Sequence, residues 1–194
     1  MLRYGWPNDL RFRQALSELN KYLIILIEKN RRTTDEDINE TLAILEPQTT
    51  DVKMTIHYAI KPFLEIFPLI GVQPNLFGMD KSNITTQINP EILIQLSRLM
   101  CFASFCQTQA NSKIYITLSC TRQLLELSMA FKSTSHARES VFLYADDTFE
   151  RMKLKDFVYD TAYLILAYTK QLKGIFDVDR YADDTICLRL MVLL

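Results

Sequence analysis

Apolar residues recur along this chain at steps of three and four, and the longest such stretch runs from Asn89 to Phe131. Ile92, Leu93, Leu96, Leu99, Met100, Ala103 and Cys106 follow one helical face, with Ile94, Phe102 and Phe105 on a second. That spacing predicts a helix. Asn89-Pro90 supplies its start: Asn accepts from free backbone N–H groups, and Pro at the first helical position gives up a donor that has no partner anyway. Beyond a break at Ala110-Asn111, the residues Ile114, Leu118, Leu125 and Met129 read as a second helix, widened by Tyr115, Leu124, Leu127 and Phe131. The expectation is a central hydrophobic helical hairpin at 89–131, sheathed by other helices because it is apolar most of the way round.

The flanking segments are assigned in the same way. A helix from Pro7-Asn8-Asp9 to about Lys29 carries Leu16, Leu19, Leu23, Leu26 and Ile27. Thr34 caps a shorter one with Ile38, Leu42 and Leu45, ended by Pro47. Thr50-Asp51 opens a third with Met54, Ile56, Tyr58 and Ile60, which Pro62 kinks or splits by removing a donor and clashing with the preceding turn. Its second piece closes at Gly71. Residues 71–88 show no periodicity and read as a long loop exposing Leu76, Phe77 and Met79. Helices are expected over 137–144 and from Leu154 to Lys173, with Ile165 and Tyr168 inside and Gly174 as the stop. A last helix follows Asp177 or Asp179 and ends on Val192-Leu193-Leu194. No sustained period of two is read, so the expected fold is all-α with seven to nine helices. Its architecture would be a multi-helix bundle, or a short α-solenoid of HEAT- or armadillo-like helix pairs. The whole chain, 1–194, would form a single all-helical domain or a segment of a longer helical array.

Composition narrows the chemistry. Four glycines in 194 residues argue against glycine-rich phosphate loops and tight hairpins. A net charge of −1 gives no general attraction to nucleic acid or to an anionic membrane. Gln95 and Arg98 interrupt the most apolar run, so no membrane span is expected. Cys101, Cys106, Cys120 and Cys187 lie in apolar runs, where free cysteine behaves as a small hydrophobe. With no signal-like N-terminus, this points to an intracellular setting, cytoplasmic or nuclear. The two histidines, His57 and His136, have no partner at metal-ligand spacing, so no metal, cofactor or catalytic residues are assigned.

The word Tyr-Ala-Asp-Asp-Thr occurs twice, at 144–148 and 181–185. Tyr144-Ala145-Asp146-Asp147 resembles the aspartate pair of reverse transcriptases, which implies two-metal chemistry at a strand turn. The first copy, however, is followed by Phe149-Glu150-Arg151, and the second is preceded by Asp177-Val178-Asp179-Arg180. Asp146-Asp147-Thr148 also resembles the metal-binding triplet of all-α ADP-ribosylglycohydrolases, whose glycine-rich N-terminal motif this chain lacks. The preferred expectation is that both Asp-Asp pairs stand at helix starts without a shared ion, where Asp caps N–H groups and meets the positive dipole end.

The leading functional expectation is therefore a non-catalytic helical scaffold or adaptor for protein–protein interaction, not an enzyme. Its partner would be another protein or a second copy of the chain. Candidate partner-binding residues are Leu76, Phe77 and Met79 in the loop, and Leu188, Met191, Val192 and Leu194 at the C-terminus, which carries one charge, Arg189. The alternatives are a metal-dependent all-α hydrolase using Asp146, Asp147, Asp183 and Asp184, and a Bcl-2-like regulatory bundle, although no Asn-Trp-Gly-Arg motif is present.

Overall fold

The computed structural model describes residues 47–79, 84–121, 123–133 and 164–194. It is a mixed α/β fold. In chain order the elements are β1 (Gln48–Asp51), α1 (Val52–Ile66), a 3-10 turn (Phe67–Ile70), β2 (Gln73–Phe77), β3 (Thr85–Ile88), α2 (Pro90–Gln107), β4 (Lys113–Cys120) and β5 (Leu124–Lys132). A helix over 164–171, here α3, precedes β6 (Gly174–Arg180) and β7 (Thr185–Leu193). The helices expected over 7–29, 34–46 and 137–144, the start of the one expected from Leu154, and Asp146 and Asp147 lie outside the described residues.

Two helix starts stand where the sequence places them. Asn89 Oδ1 accepts from the N–H groups of Glu91 and Ile92 at 3.0 and 3.1 Å, ahead of Pro90. Asp51 does the same for Met54 at 3.0 Å. Each cap also ends a strand: β1 runs into α1 and β3 into α2, and β1 and β3 pair antiparallel. Pro62 is accommodated within α1, which Gly71 closes beyond the 3-10 turn in the left-handed conformation, φ 74°. The buried stripe of α1 is Val52, Ile56, Ala59, Ile60, Phe63 and Ile66. Met54 and Tyr58, assigned inward from the sequence, face out at 71% and 62% exposure.

The all-α expectation fails at the second half of the central hairpin and at the C-terminus. Residues 113–132 are two antiparallel strands, and 185–193 is a third strand paired with β5. They belong to a five-stranded sheet of order β2-β4-β5-β7-β6, in which β2 joins β4 in parallel and the other neighbours are antiparallel. Side chains alternate across a strand, and the register lines the apolar ones up in rows. Ile114, Phe131 and Ile186 form one row, Ile116, Met129 and Leu188 the next, then Leu118, Leu127 and Leu190, then Leu125 and Val192. All are 7% exposed or less, and they share one core with α1, α2 and α3. Neither a helical bundle nor a solenoid of helix pairs describes this arrangement, in which helices cover one face of a mostly antiparallel sheet.

The opposite sheet face carries Tyr115, Thr117, Glu126, Ser128, Arg189 and Asp179. Arg189 lies between two acids, with Nε 3.4 Å from Glu126 and Nη2 3.1 Å from Asp179. Asp179 holds its guanidinium above the usual arginine range. The supposed loop at 71–88 contributes β2 and β3. Gly78, φ 71°, ends β2 where a Cβ would overlap the carbonyl oxygen of Leu118.

Candidate functional site

One end of the sheet collects polar groups from three elements. At the end of α2, Thr108 donates its N–H to Ser104 O at 2.8 Å and forms an isolated bridge to Ser133. Gln109 N–H reaches Lys132 O at 2.8 Å, and Ser133 N–H reaches Asp184 O at 2.9 Å. This ties the exits of α2 and β5 to the β6–β7 turn. The second Tyr-Ala-Asp-Asp-Thr copy is that turn. Asp184 N–H bonds Tyr181 O, Tyr181 N–H bonds Thr185 O, and Asp184 takes φ 62°. Such a turn with a left-handed residue at its end is a common hairpin closure, and Asp tolerates that conformation. Asp183 accepts from Thr185 N–H at 3.2 Å and lies 3.9 Å from Lys132 Nζ. Hydrogen bonding from Thr185, side chain first, holds its carboxyl below the usual range. These aspartates build a turn, where the sequence suggested helix starts.

A second surface lies on α1. His57 is exposed, with Met54 and Tyr58 beside it. Lys53 precedes His57 by four residues and Lys61 follows it by four, so both occupy its face of the helix. The Arg98 guanidinium on α2 lies 5.6 Å from the Tyr58 ring centroid. The result is a cationic surface with an apolar margin and a histidine in its middle. The sequence gives His57 no partner at metal-ligand spacing and leaves a triad assembled in space open. The signal that would have found this surface was the lysine at both four-residue steps.

The seven predicted partner-binding residues are not brought together. Leu188 and Val192 are buried under the helices at 4% and 2% exposure, and Met191 is half-buried on the opposite sheet face between Glu126 and Ile175. Leu194 and Met79 pack partly against the core. Leu76 and Phe77 are exposed on β2, and the Phe77 ring stacks on Tyr115 at 6.3 Å.

Between α2 and the sheet lies an apolar interface. Its buried hydroxyls bond their own helix: Ser97 to Leu93 O, and Ser104 to Met100 O with a further contact to Met129 Sδ. Among the described residues no buried side-chain nitrogen or oxygen lacks a partner, and no group of three or more His, Cys, Asp or Glu could hold a metal. Cys101 is wholly buried in α2, which pushes its thiol far up and keeps it protonated and inert.

No family model and no curated protein matches the chain. Solved structures do match in fold. The chain is similar to a histidine kinase from Burkholderia phymatum, with a TM-score of 0.61 and 12% identity over 96% of this chain and 99% of that one. It is similar to the histidine kinase AdeS of Acinetobacter baumannii, at TM-score 0.54 and 14% identity over 95% and 76% of the two chains. The third comparison is full-length ShkA, solved in complex with AMPPNP, at TM-score 0.56 and 10% identity over 76% of this chain and 31% of ShkA. The fold is thus one found in histidine kinases. That overturns the helical scaffold or adaptor, which rested on an all-α chain, and with it the expectation that the chain is not an enzyme. The all-α hydrolase and the Bcl-2-like bundle fall for the same reason. No helix among the described residues is long and apolar enough to cross a membrane.

Proposed function

We propose that this chain is a phosphotransfer signalling module of the histidine-kinase type, acting inside the cell with a second copy or another protein as partner. The observation that carries the reading is end-to-end likeness: 96% of this chain aligns with 99% of the Burkholderia phymatum histidine kinase. Sharing a fold alone leaves function open, because activity resides in side chains placed on it. The AMPPNP in ShkA indicates a nucleoside triphosphate as the ultimate phosphoryl source. The described residues of α2 meet the sheet through apolar contacts. An exposed cationic surface lies on α1, suited to an anionic group.

The test is phosphoryl uptake by the full chain. Radiolabelled MgATP is supplied alone and with a cell extract of the source organism as supplier of kinases, and the label retained on the repurified chain is counted. Label above that of a heat-denatured control is expected in at least the second condition. Its absence in both would overturn the reading.

A further inference from the structure

Among the described residues β6 pairs on one side only, with β7, so its other side is an edge of the five-stranded sheet. An edge strand offers its outward N–H and C=O groups to any strand of another chain. Ile175 and Val178 add apolar area to this edge, at 63% and 52% exposure. We propose that Asp177 keeps β6 from pairing with a second copy of this chain, because its carboxylate holds the Val178 N–H that such pairing requires. Nothing in this depends on the phosphotransfer reading.

Two hydrogen bonds fix which backbone groups face outward. In an antiparallel pair, directly opposite residues alternate between hydrogen-bonded and non-bonded pairs. Asp177 stands opposite Arg189 and Asp179 opposite Cys187. The next pair of the same parity is Tyr181 with Thr185, where Tyr181 N–H reaches Thr185 O at 2.8 Å. The odd-numbered residues of β6 therefore direct their backbone groups to β7. On the far side of β7, Leu194 N–H reaches Gln123 O at 3.0 Å, so the even-numbered residues of β7 serve β5, in agreement. The N–H and C=O groups of Phe176, Val178 and Arg180 thus point away from the sheet. Val178 lies near the middle of the edge, and its N–H donates to Asp177 Oδ1 at 2.9 Å.

A second β6 approaching across a two-fold axis pairs antiparallel, and the alignments that use most of Gly174–Arg180 centre on Phe176, Asp177 or Val178. Val178 then stands opposite Gly174, Phe176 or Val178 of the copy, and each alignment needs the Val178 N–H as a donor. The side-chain bond withholds it in every case. Charge adds a second barrier in two of them. Centring on Asp177 sets that residue against its own counterpart, and centring on Val178 sets Asp177 against Asp179 of the copy; like charges directly opposite destabilise a sheet. Centring on Phe176 sets Asp177 against Ile175 of the copy and brings no acids together, so there the withheld donor acts alone.

The experiment follows the full chain and its variants by sedimentation velocity over a concentration series, with circular dichroism as the check on folding. Asp177→Asn keeps an Oδ1 acceptor and removes the charge, whereas Asp177→Val removes both. Glu65→Val makes the same loss of charge at an exposed acid on α1. Asp177→Val/Val178→Pro takes away the donor itself, which an edge strand tolerates. Wild type, Asp177→Asn, Glu65→Val and the double variant should share one size distribution. Asp177→Val should add larger species that grow with concentration. At dilution, amide exchange at Val178, corrected for intrinsic rates, should be about twofold to tenfold faster in Asp177→Val than in wild type, the net effect of one hydrogen bond. An Asp177→Val chain with the wild-type distribution, or an unchanged exchange rate, overturns the proposal. So does Asp177→Asn associating as strongly as Asp177→Val, which would make charge alone the barrier, or a folded double variant that still associates. If the proline variant does not fold, the contrast between Asn and Val at 177 and the Val178 exchange rate decide.

Discussion

Replacing the leucines of β7 one at a time by alanine should give losses that alternate along the strand. Leu188 and Leu190 point into the core at 4% and 0% exposure, opposite Met129 and Leu127 of β5. Leu193 points away at 76%. Truncating a buried leucine removes its transfer free energy and leaves a cavity, together costing about 2–5 kcal/mol. Because β7 lies between β5 and β6, the backbone has little freedom to collapse into the gap, so values near the middle of that range are expected. A chain of this size shifts its melting temperature by roughly 2–4 °C per kcal/mol, so Leu188→Ala and Leu190→Ala should each fall by roughly 5–15 °C. Leu193→Ala should move by no more than about 2 °C, as surface substitutions usually do. Thermal melts of the three variants followed by circular dichroism are sufficient. Equal losses at all three positions, or a small loss at Leu190, would refute the strand and the sheet order built on it.

Three further outcomes follow from particular contacts. Gly78→Ala should cost at least about 1–2 kcal/mol from its left-handed backbone alone, with overlap against Leu118 O added. Hydrogen exchange should quicken first along β2, and a variant as stable as wild type would contradict the β2–β4 contact. Asn89→Ala should lose about 0.5–2 kcal/mol in chemical denaturation by freeing two N–H groups; no change would mean that Asn89 does not cap α2. Burial raises the thiol of Cys101, so its contribution is complete below the unfolded thiol value of about 8.5 and is lost as pH rises toward the folded value. That loss is at most about 1.4 kcal/mol per pH unit. Cys101→Ala should flatten the alkaline fall in stability, and an unchanged slope would contradict the burial of that thiol.

The helices were legible in the sequence because they announce their ends. Asn89-Pro90 and Asp51 are local signals that hold in any tertiary setting. The strands were hidden by their surroundings. Ile114, Ile116 and Leu118 alternate with Tyr115, Thr117 and Ser119, while Leu125, Leu127 and Met129 alternate with Glu126 and Ser128. A period of two is present there, but Leu124, Ala130, Cys187, Met191 and Leu193 add apolar residues to the other face and blur it into runs that also fit a helix. The turns gave no warning, because they are made without the usual glycine. Thr121 closes β4–β5 by accepting Leu124 N–H on its Oγ1 at 3.1 Å, and Asp184 takes the left-handed position between β6 and β7. Even at the helix end near Gly174, Lys173 adopts positive φ, and the glycine starts the next strand. Of the candidate site, the seven apolar residues read as one loop and both sides of a terminal helix. The sheet sends Leu188 and Val192 inward and Met191 to the opposite face, so no common surface could form. His57 has no partner at metal-ligand spacing, and groups that come together only in space leave no mark in sequence order.

The most direct test of phosphotransfer on this fold is phosphorus NMR of the full chain after loading from MgATP and extract. A nitrogen-bonded phosphoryl resonance that disappears on mild acid treatment is the predicted result. An unmodified chain, or a signal belonging only to a phosphate ester, would contradict it.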